Sequence, residues 1–275
     1  MMQSPGIAQL PIQKIQDADI LEMMDELVIE EPLEIRLQYG PAGDRREQSV
    51  SITMRTPGDD IPLAMGFLFT EGIIPDADAV EMISTYTSNS ILISLQKNIS
   101  LDLTKLQRHF YTTSSCGVCG KSSLEALRSV CPSSASASEW QISKDIIHHL
   151  PARLFQQQAI FSSTGGLHAA ALFDKKGDFL YSKEDIGRHN ALDKLIGSAL
   201  QDSNLPLDNH LLLLSGRACF ELIQKAAMAG IQLVAAVGAP SSLAVQLAQE
   251  YNMTLIGFVR DQRFNIYAGQ QRIRI

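Results

Sequence analysis

The sequence lacks an apolar run long enough to cross a lipid bilayer, which takes about 20 residues. Its richest apolar stretch, residues 231–245, is interrupted by Gln232 and Pro240. Residues 1–12 also lack the basic region and the apolar core of a secretion signal. We therefore expect a cytoplasmic protein that has no contact with a membrane.

The chain also lacks an excess of positive charge. Its 23 Lys and Arg residues stand against 30 Asp and Glu residues, a formal net charge of −7. Such a chain offers no uniform basic surface to a nucleic-acid backbone, so we expect no nucleic-acid partner. Any anionic ligand must be bound by a local cluster of cations. With 275 residues, 45% of them apolar, the chain can build one or two domains without disulfides.

Cysteine is scarce, and the four that occur are Cys116, Cys119, Cys131 and Cys219. In a reducing compartment they are thiols or metal ligands rather than disulfides. The first two form a C-x-x-C pair in a glycine-containing loop, before Lys121 and a helix start marked by Ser122 and Glu125. A helix N-terminus and a nearby lysine lower the pKa of a thiol. We therefore expect Cys116 and Cys119 to be reactive.

Three other kinds of site share features with this C-x-x-C segment. A structural zinc site needs four ligands, and the candidates beyond the pair are His109, Cys131 and Cys219. We expect no metal and keep zinc as the alternative. The triplet Gly120-Lys121-Ser122 ends a P-loop motif, but Ser115 occupies the first glycine position. A zinc deaminase has H-x-E before P-C-x-x-C, whereas here the cysteine pair comes early and lacks the proline.

Composition and periodicity divide the chain into four stretches. Alternating apolar residues at 33–37, 50–54 and 91–95 predict strands, and a capped apolar segment at 59–72 predicts a helix. The first residues show no clear period. We predict an N-terminal tail at 1–24, a small α+β domain at 25–110, a cysteine loop with a helix and a Ser-rich linker at 111–140, and an α/β domain at 141–275.

The last part of the chain alternates buried strands with helices. Apolar runs at 211–214, 233–237 and 254–259 predict strands, separated by helical stripes that begin near Cys219 and Ser241. This β-α-β-α-β order predicts a mainly parallel sheet covered on both faces. Ligands are expected at the carboxyl ends of its strands.

Polar and cationic residues lie in the loops that flank these strands. Glycine-containing loops hold His168, Arg188 and His189, while Arg217, Arg260 and Arg263 follow the ends of strands. Guanidinium groups at strand ends suit an anion. We therefore treat these six residues as candidates for binding an anionic ligand. Structural histidines and solvated surface charges are the alternatives.

Five segments resemble, in order, the formate dehydrogenase accessory sulfurtransferase (FdhD) family. They are Thr113–Lys121, Thr164–Leu172, Glu184–Lys194, Ser215–Ile231 and Ala236–Val245. The resemblance runs from about residue 30 to residue 267 without large gaps. A departure is Gly238, where the family more commonly has serine.

This resemblance implies a sulfur carrier. Such a protein takes sulfur from a cysteine desulfurase as a persulfide and passes it to the molybdenum cofactor, bis(molybdopterin guanine dinucleotide), for the formate dehydrogenase apoprotein. The family also implies a homodimer and a cytidine-deaminase-like C-terminal domain. Cys116 matches the persulfide cysteine, and the cofactor-binding segment is matched by Phe258, Val259, Arg260, Asp261, Gln262 and Arg263. GDP, a fragment of the cofactor, is expected to bind weakly.

Two non-enzymatic functions compete with sulfur transfer. One is a chaperone that only binds the molybdenum cofactor, and the other is a zinc-stabilised scaffold. Transfer of sulfur to or from Cys116 separates both from a sulfurtransferase. Whether Cys119 resolves the persulfide or only tunes its partner stays open at this point.

Overall fold

The computed structural model describes residues 6–99, 140–260 and 262–275. The cysteine loop, helix and linker expected at 111–139 lie outside these residues. In chain order the helices and strands are β1 (Ile7–Gln16), β2 (Asp19–Val28), β3 (Glu31–Tyr39), β4 (Arg46–Arg55), α1 (Asp60–Thr70), β5 (Val80–Thr87), β6 (Ser90–Leu95), β7 (Ile142–Ser143), α2 (Lys144–Phe155), α3 (Ala159–Thr164), β8 (His168–Phe173), β9 (Phe179–Asp185), α4 (Arg188–Gln201), β10 (Leu211–Leu214), α5 (Phe220–Met228), β11 (Leu233–Ala236), α6 (Ser242–Glu250), β12 (Thr254–Arg260), β13 (Arg263–Ala268) and β14 (Ile273–Arg274). Over this part of the chain, every helix is too short or too polar to cross a bilayer.

The larger sheet has six strands in the order β13-β12-β11-β10-β8-β9. Its centre, β10, β11 and β12, is parallel, as the β-α-β-α-β pattern predicts. The other three strands pair antiparallel with their neighbours, so the expectation of a mainly parallel sheet is wrong and the sheet is mixed. Two of the antiparallel pairs have a local cause, because the short connections between β8 and β9 and between β12 and β13 can join only antiparallel strands.

The smaller sheet, β4-β3-β6-β5, together with α1 contains the strands and the helix predicted within residues 25–110. One cluster of buried apolar side chains includes Leu68 of α1, Ile93 of β6 and Leu192 of α4. A second cluster lies under α2 on the other face of the larger sheet and includes Ile147. The small unit therefore shares its core with the larger sheet, and the predicted domain boundaries stay a prediction.

Strand β4 contains a bulge that reverses which of its side chains face inward. The alternation of Val50, Ile52 and Met54 predicts one shared buried face. Val50 is buried, but Ile52 is 69% and Met54 is 47% exposed. The pairing with β3 shifts between Ile35 and Arg36, which leaves an extra residue in β4. Two apolar side chains of this edge strand therefore face solvent.

The N-terminal residues form a β-hairpin, so the tail predicted at 1–24 is wrong for residues 7–24. Strands β1 and β2 pair antiparallel from Ile7 opposite Val28 to Gln16 opposite Asp19. Apolar side chains of the hairpin face solvent, as at Ile15, which is 65% exposed. Because backbone pairing rather than burial of one face orders these strands, the sequence shows no two-residue apolar period.

Helices α1 and α4 cross with their backbones in contact. A Cβ atom at Gly66 would lie 1.9 Å from the carbonyl oxygen of Asp193, and one at Gly197 would lie 1.8 Å from that of Pro62. Only glycine permits so close an approach. The crossing fixes the position of α4, whose first turn belongs to the candidate site.

Candidate functional site

The loops that follow β10 and β11 lie side by side with the last residues of β12 at the carboxyl edge of the larger sheet. Gly238 donates its N–H to the carbonyl of Gly216 at 2.9 Å, and Phe258 donates to the carbonyl of Gly238 at 3.1 Å. A Cβ atom at Gly238 would lie 2.9 Å from the backbone nitrogen of Arg217, so a larger residue would push the first two loops apart. This is the edge at which the sequence predicts ligand binding.

The turn between β12 and β13, part of the predicted cofactor segment, has an unusual backbone. Phe258 and Gln262 both have a φ of 57°, in the left-handed region that non-glycine residues adopt rarely and that is enriched at ligand sites. The strand pairing shifts between Gly257 and Arg260, and Arg260 lies opposite Arg263. Two guanidinium-bearing residues therefore flank a strained turn.

The side chains of this turn differ in exposure. Val259 is fully buried in the core, so only its backbone can reach a ligand. Phe258 is half-buried, and Asp261 lies outside the described residues. The exposed side chains are Arg260, Gln262 and Arg263. The two arginines are thus the groups here that can bind an anion.

His168, Arg188 and Arg217 converge at the end of β10. The ring of His168, the first residue of β8, lies against Gly216. Burial lowers the pKa of His168 below its usual 6.5, and the positive charges of Arg188 and Arg217 lower it further. The imidazole is therefore neutral at pH 7, and the charges of both arginines act on it. Three of the predicted anion-binding residues lie together.

One buried carboxylate holds the loop that leads into α4. Asp185 is fully buried and accepts hydrogen bonds from the backbone N–H groups of Gly187 (2.8 Å) and Thr56 (3.1 Å) and from the amide of Asn190 (3.0 Å). The ammonium group of Lys194 lies 2.8 Å from it. Buried charges are stable when paired and hydrogen-bonded in this way. These bonds position Arg188 and His189, which lie between Gly187 and Asn190 and are both site candidates.

The second of these residues, His189, contacts two side chains at the start of α5. Its Nε2 atom lies 3.2 Å from the Sγ of Cys219 and 3.9 Å from the carboxylate of Glu221. Burial, with the charges of Arg188 and Lys225, lowers the pKa of His189 to about 4. Burial also raises the pKa of the Cys219 thiol. At neutral pH an uncharged imidazole therefore faces a protonated thiol.

A buried ion pair ties α4 to α5 directly behind this contact. The Lys225 ammonium lies 3.0 Å from the carboxylate of Asp193 and 3.0 Å from that of Glu71. Although burial opposes the charge, these two carboxylates raise the pKa of Lys225. Asp193 follows His189 by four residues and Lys225 follows Glu221 by four, about one helical turn in each case. The pair thus holds the first turns of the two helices against each other.

A cleft of about 440 Å³ opens beside the same edge. Its wall is mostly apolar and comes from α2 and α3, including Phe155 and Phe161, while His168, Ser215 and Val237 close the side toward the sheet. This volume is within the range of small-molecule sites. His168 belongs both to the cleft and to the arginine cluster.

The predicted site residues form two groups rather than one. Neighbouring strands lie about 4.8 Å apart, so the ends of β10 and β12 are separated by about 10 Å. Arg217 lies in the first group, and Arg260 and Arg263 lie in the second. Cys116 and Cys119 lie outside the described residues, so their predicted reactivity stays a prediction.

From the sequence, Cys219 is a candidate only as a further zinc ligand beside the C-x-x-C pair, and Glu221 is not a candidate. Both lie where α5 begins, directly after the loop that follows β10. This position in the sequence could have identified both residues as site candidates, because helices that follow parallel strands start at the same edge of the sheet.

The chain is similar to known proteins over nearly its whole length. The FdhD/NarQ family matches residues 28–274. Three proteins named sulfur carrier protein FdhD are 46% identical (Streptomyces avermitilis; 95% of this chain, 94% of that one), 48% identical (Mycolicibacterium paratuberculosis; 90% and 92%) and 36% identical (Saccharolobus solfataricus; 97% and 98%). A crystal structure from Desulfotalea psychrophila, described as a candidate formate dehydrogenase accessory protein, superposes with a TM-score of 0.75 at 23% identity and covers 98% of this chain and 100% of its own. That likeness shows the fold.

Proposed function

Because the chain belongs to the FdhD/NarQ family, we propose that it is a sulfur carrier for the maturation of formate dehydrogenase. It receives sulfur from a cysteine desulfurase as a persulfide on Cys116 and transfers it to the molybdenum cofactor, bis(molybdopterin guanine dinucleotide). In the loading step the Cys116 thiolate attacks the outer sulfur of the desulfurase persulfide, and the desulfurase cysteine leaves as a thiolate. The protein is thus a sulfurtransferase with a persulfide intermediate, and the cofactor is its substrate.

The observation that carries this proposal is the pair of cationic positions at the carboxyl edge of the sheet. A chain of net charge −7 has no long-range attraction for the pyrophosphates of the cofactor. The charges of Arg188 and Arg217 both act on His168 at one position, and Arg260 lies opposite Arg263 at the other. Charge-assisted hydrogen bonds from such groups are short-range and strong. A ligand with several phosphates fits two positions better than one.

A guanine nucleotide is the simplest probe of this edge. GDP carries the pyrophosphate and the base of one half of the cofactor, and we propose that it binds at the second position. There the exposed Arg260 and Arg263 offer donors, and half-buried Phe258 offers an aromatic ring. Gln262 lies in the same turn.

The remaining parts of the proposal concern setting and assembly. The protein acts in the cytoplasm as a homodimer, and its partners are the cysteine desulfurase and the formate dehydrogenase apoprotein. The larger sheet with its helices is proposed to be related to cytidine deaminases. The carboxyl ends of its parallel strands β10, β11 and β12 are the proposed binding edge for the cofactor.

Replacement of the sulfur-carrying cysteine tests the function. In a cell that lacks the native gene, the Cys116→Ala protein should give no active formate dehydrogenase, because no sulfur atom can be loaded. Cys131→Ala is the matched control and should restore activity. Circular dichroism of both purified proteins shows whether each has folded.

Each competing function predicts a result different from that of sulfur transfer. A chaperone that only binds the cofactor would keep full formate dehydrogenase activity in the Cys116→Ala cell, and this result would overturn the proposal. A zinc-stabilised scaffold built on the C-x-x-C pair would unfold on chelation and would lose this zinc when Cys116 and Cys119 are replaced, because structural metal binding is part of the folding free energy.

A further inference from the structure

His189, Cys219 and Glu221 place three different ligand atoms around one point at the sheet edge. The imidazole nitrogen, the thiol sulfur and a carboxylate oxygen all lie within 4.8 Å of one another. We propose that this cluster binds a divalent metal ion of the zinc class and leaves one coordination position open. The proposal goes beyond sulfur transfer and does not depend on it.

The distances suit zinc. Bonds of about 2.0–2.1 Å to nitrogen and about 2.3 Å to sulfur at a tetrahedral angle place the two ligand atoms about 3.5 Å apart. Nε2 of His189 and Sγ of Cys219 are 3.2 Å apart, and Nε2 lies 3.9 Å from the Glu221 carboxylate. Small side-chain rotations would bring both distances to the tetrahedral value.

The kinds of ligand indicate which metal. Thiolate and imidazole select zinc and related transition ions over magnesium and calcium, which prefer an all-oxygen shell. A thiolate and a carboxylate together balance the two positive charges of the ion. Three protein ligands with an exchangeable fourth are typical of zinc sites that bind a further molecule, whereas structural sites have four.

The fold holds the ligands in place before any ion arrives. His189 lies in the first turn of α4, and Glu221 lies in the first turn of α5. One turn further along, the buried ion pair between Asp193 and Lys225 links the same two helices at 3.0 Å. Two helices that are already joined lose little conformational freedom when a metal bridges their ends.

The site is open to solvent on one side. The side chains of His189 and Glu221 are 32% and 46% exposed, so an ion can enter. The Nε of Arg188 is buried and has no hydrogen-bond partner among the described residues. The Arg188 side chain interacts with Cys219, and a guanidinium group this near the metal favours an anion or water as the fourth ligand.

No metal site is predicted from the sequence, because a structural zinc site needs four ligands and the C-x-x-C pair has no evident second pair. The cluster has a different set of ligands, of which only Cys219 was a candidate from the sequence. An experiment must therefore separate the two locations. The full-length Cys116→Ala/Cys119→Ala/Cys131→Ala protein does so, because Cys219 is its only cysteine.

Cobalt(II) is a suitable probe, since its bond to a thiolate gives a charge-transfer absorption band. The single-cysteine protein should bind one equivalent of cobalt with this band, and zinc should displace it. Adding Cys219→Ser should abolish the band, and His189→Ala or Glu221→Gln should weaken binding at least tenfold. His210→Ala, a substitution outside the cluster, is the matched control and should leave binding unchanged.

Two results would overturn the metal site. One is a folded single-cysteine protein that shows no charge-transfer band at saturating cobalt. The other is a band that persists unchanged when His189 or Glu221 is replaced. Thermal unfolding gives a second measurement, because zinc bound only to the folded protein raises its Tm, and Cys219→Ser should remove this rise.

Discussion

Gly66→Ala tests whether α1 and α4 cross with their backbones in contact at Gly66. The new methyl group would lie 1.9 Å from the carbonyl oxygen of Asp193 and 2.9 Å from the backbone nitrogen of Gly197. Real Cβ atoms essentially never approach other heavy atoms closer than 3.0 Å. The two helix backbones must therefore move apart by about 1 Å to admit one methyl group.

The expected loss of stability is large for so small a change. Overpacking of a core costs about 1–3 kcal/mol. We expect about 3 kcal/mol, the upper end of that range, because both opposing atoms belong to the helix backbone and cannot rotate away. Asp193 also carries the ion pair to Lys225, which the displacement would stretch. For a chain of this size about 3 kcal/mol lowers the Tm by about 6–12 °C.

Urea unfolding followed by circular dichroism measures this change, with Gly43→Ala as the matched control. A Cβ atom at Gly43 meets nothing within 4 Å, so the same substitution there should change the free energy of unfolding by less than about 0.5 kcal/mol. Equal unfolding midpoints for the two variants would refute the reasoning, because the helices would then not be in contact at Gly66.

Three further predictions concern the edge of the sheet. Arg217→Ala should raise the pKa of His168 toward 6.5 in an NMR titration and Arg260→Ala should not; an unchanged pKa in Arg217→Ala would show that the two side chains do not converge. Arg260→Ala and Arg263→Ala should each weaken GDP binding by about 1.5–3 kcal/mol in calorimetry, and a change below about 0.5 kcal/mol in both would place the nucleotide elsewhere. Lys194→Met leaves the buried carboxylate of Asp185 without its cation and should cost about 3–5 kcal/mol of unfolding free energy in urea, whereas wild-type stability would mean that this ion pair does not stabilise the fold.

Much of the secondary structure could be predicted from local patterns. The apolar run at 211–214 and the capped segment at 59–72 correspond to β10 and α1. In both segments the local sequence pattern agrees with the burial of the element in the fold. The same patterns place the expected ligand-binding edge at the ends of β10, β11 and β12, since parallel strands present their carboxyl ends together, and binding there stays a prediction.

The parts that could not be predicted depend on pairing between distant residues. The bulge opposite Ile35 and Arg36 turns Ile52 outward, and no feature of the β4 sequence alone marks it. The antiparallel strands β8, β9 and β13 depend on which strand pairs with which. The N-terminal hairpin is held by backbone hydrogen bonds, which leave no apolar period to detect.

The candidate site residues were chosen from their types and their places in the loops, and their binding role stays a prediction. Arg217 and Arg188 were candidates, and the structure brings both to His168. The contact of His189 with Cys219 joins residues that lie 30 positions apart. It depends on the relative placement of α4 and α5, which the buried ion pair between Asp193 and Lys225 stabilises. No single segment of the sequence contains that information.

A sulfur carrier must be found with sulfur bound to it. The most direct measurement is the intact mass of the purified protein after incubation with a cysteine desulfurase and cysteine, before and after treatment with a thiol reductant. We predict a mass increase of one sulfur atom that the reductant removes, that Cys131→Ala and Cys219→Ser retain, and that Cys116→Ala lacks. An unchanged wild-type mass, or the same increase in Cys116→Ala, would contradict the assignment of Cys116 as the sulfur-carrying residue.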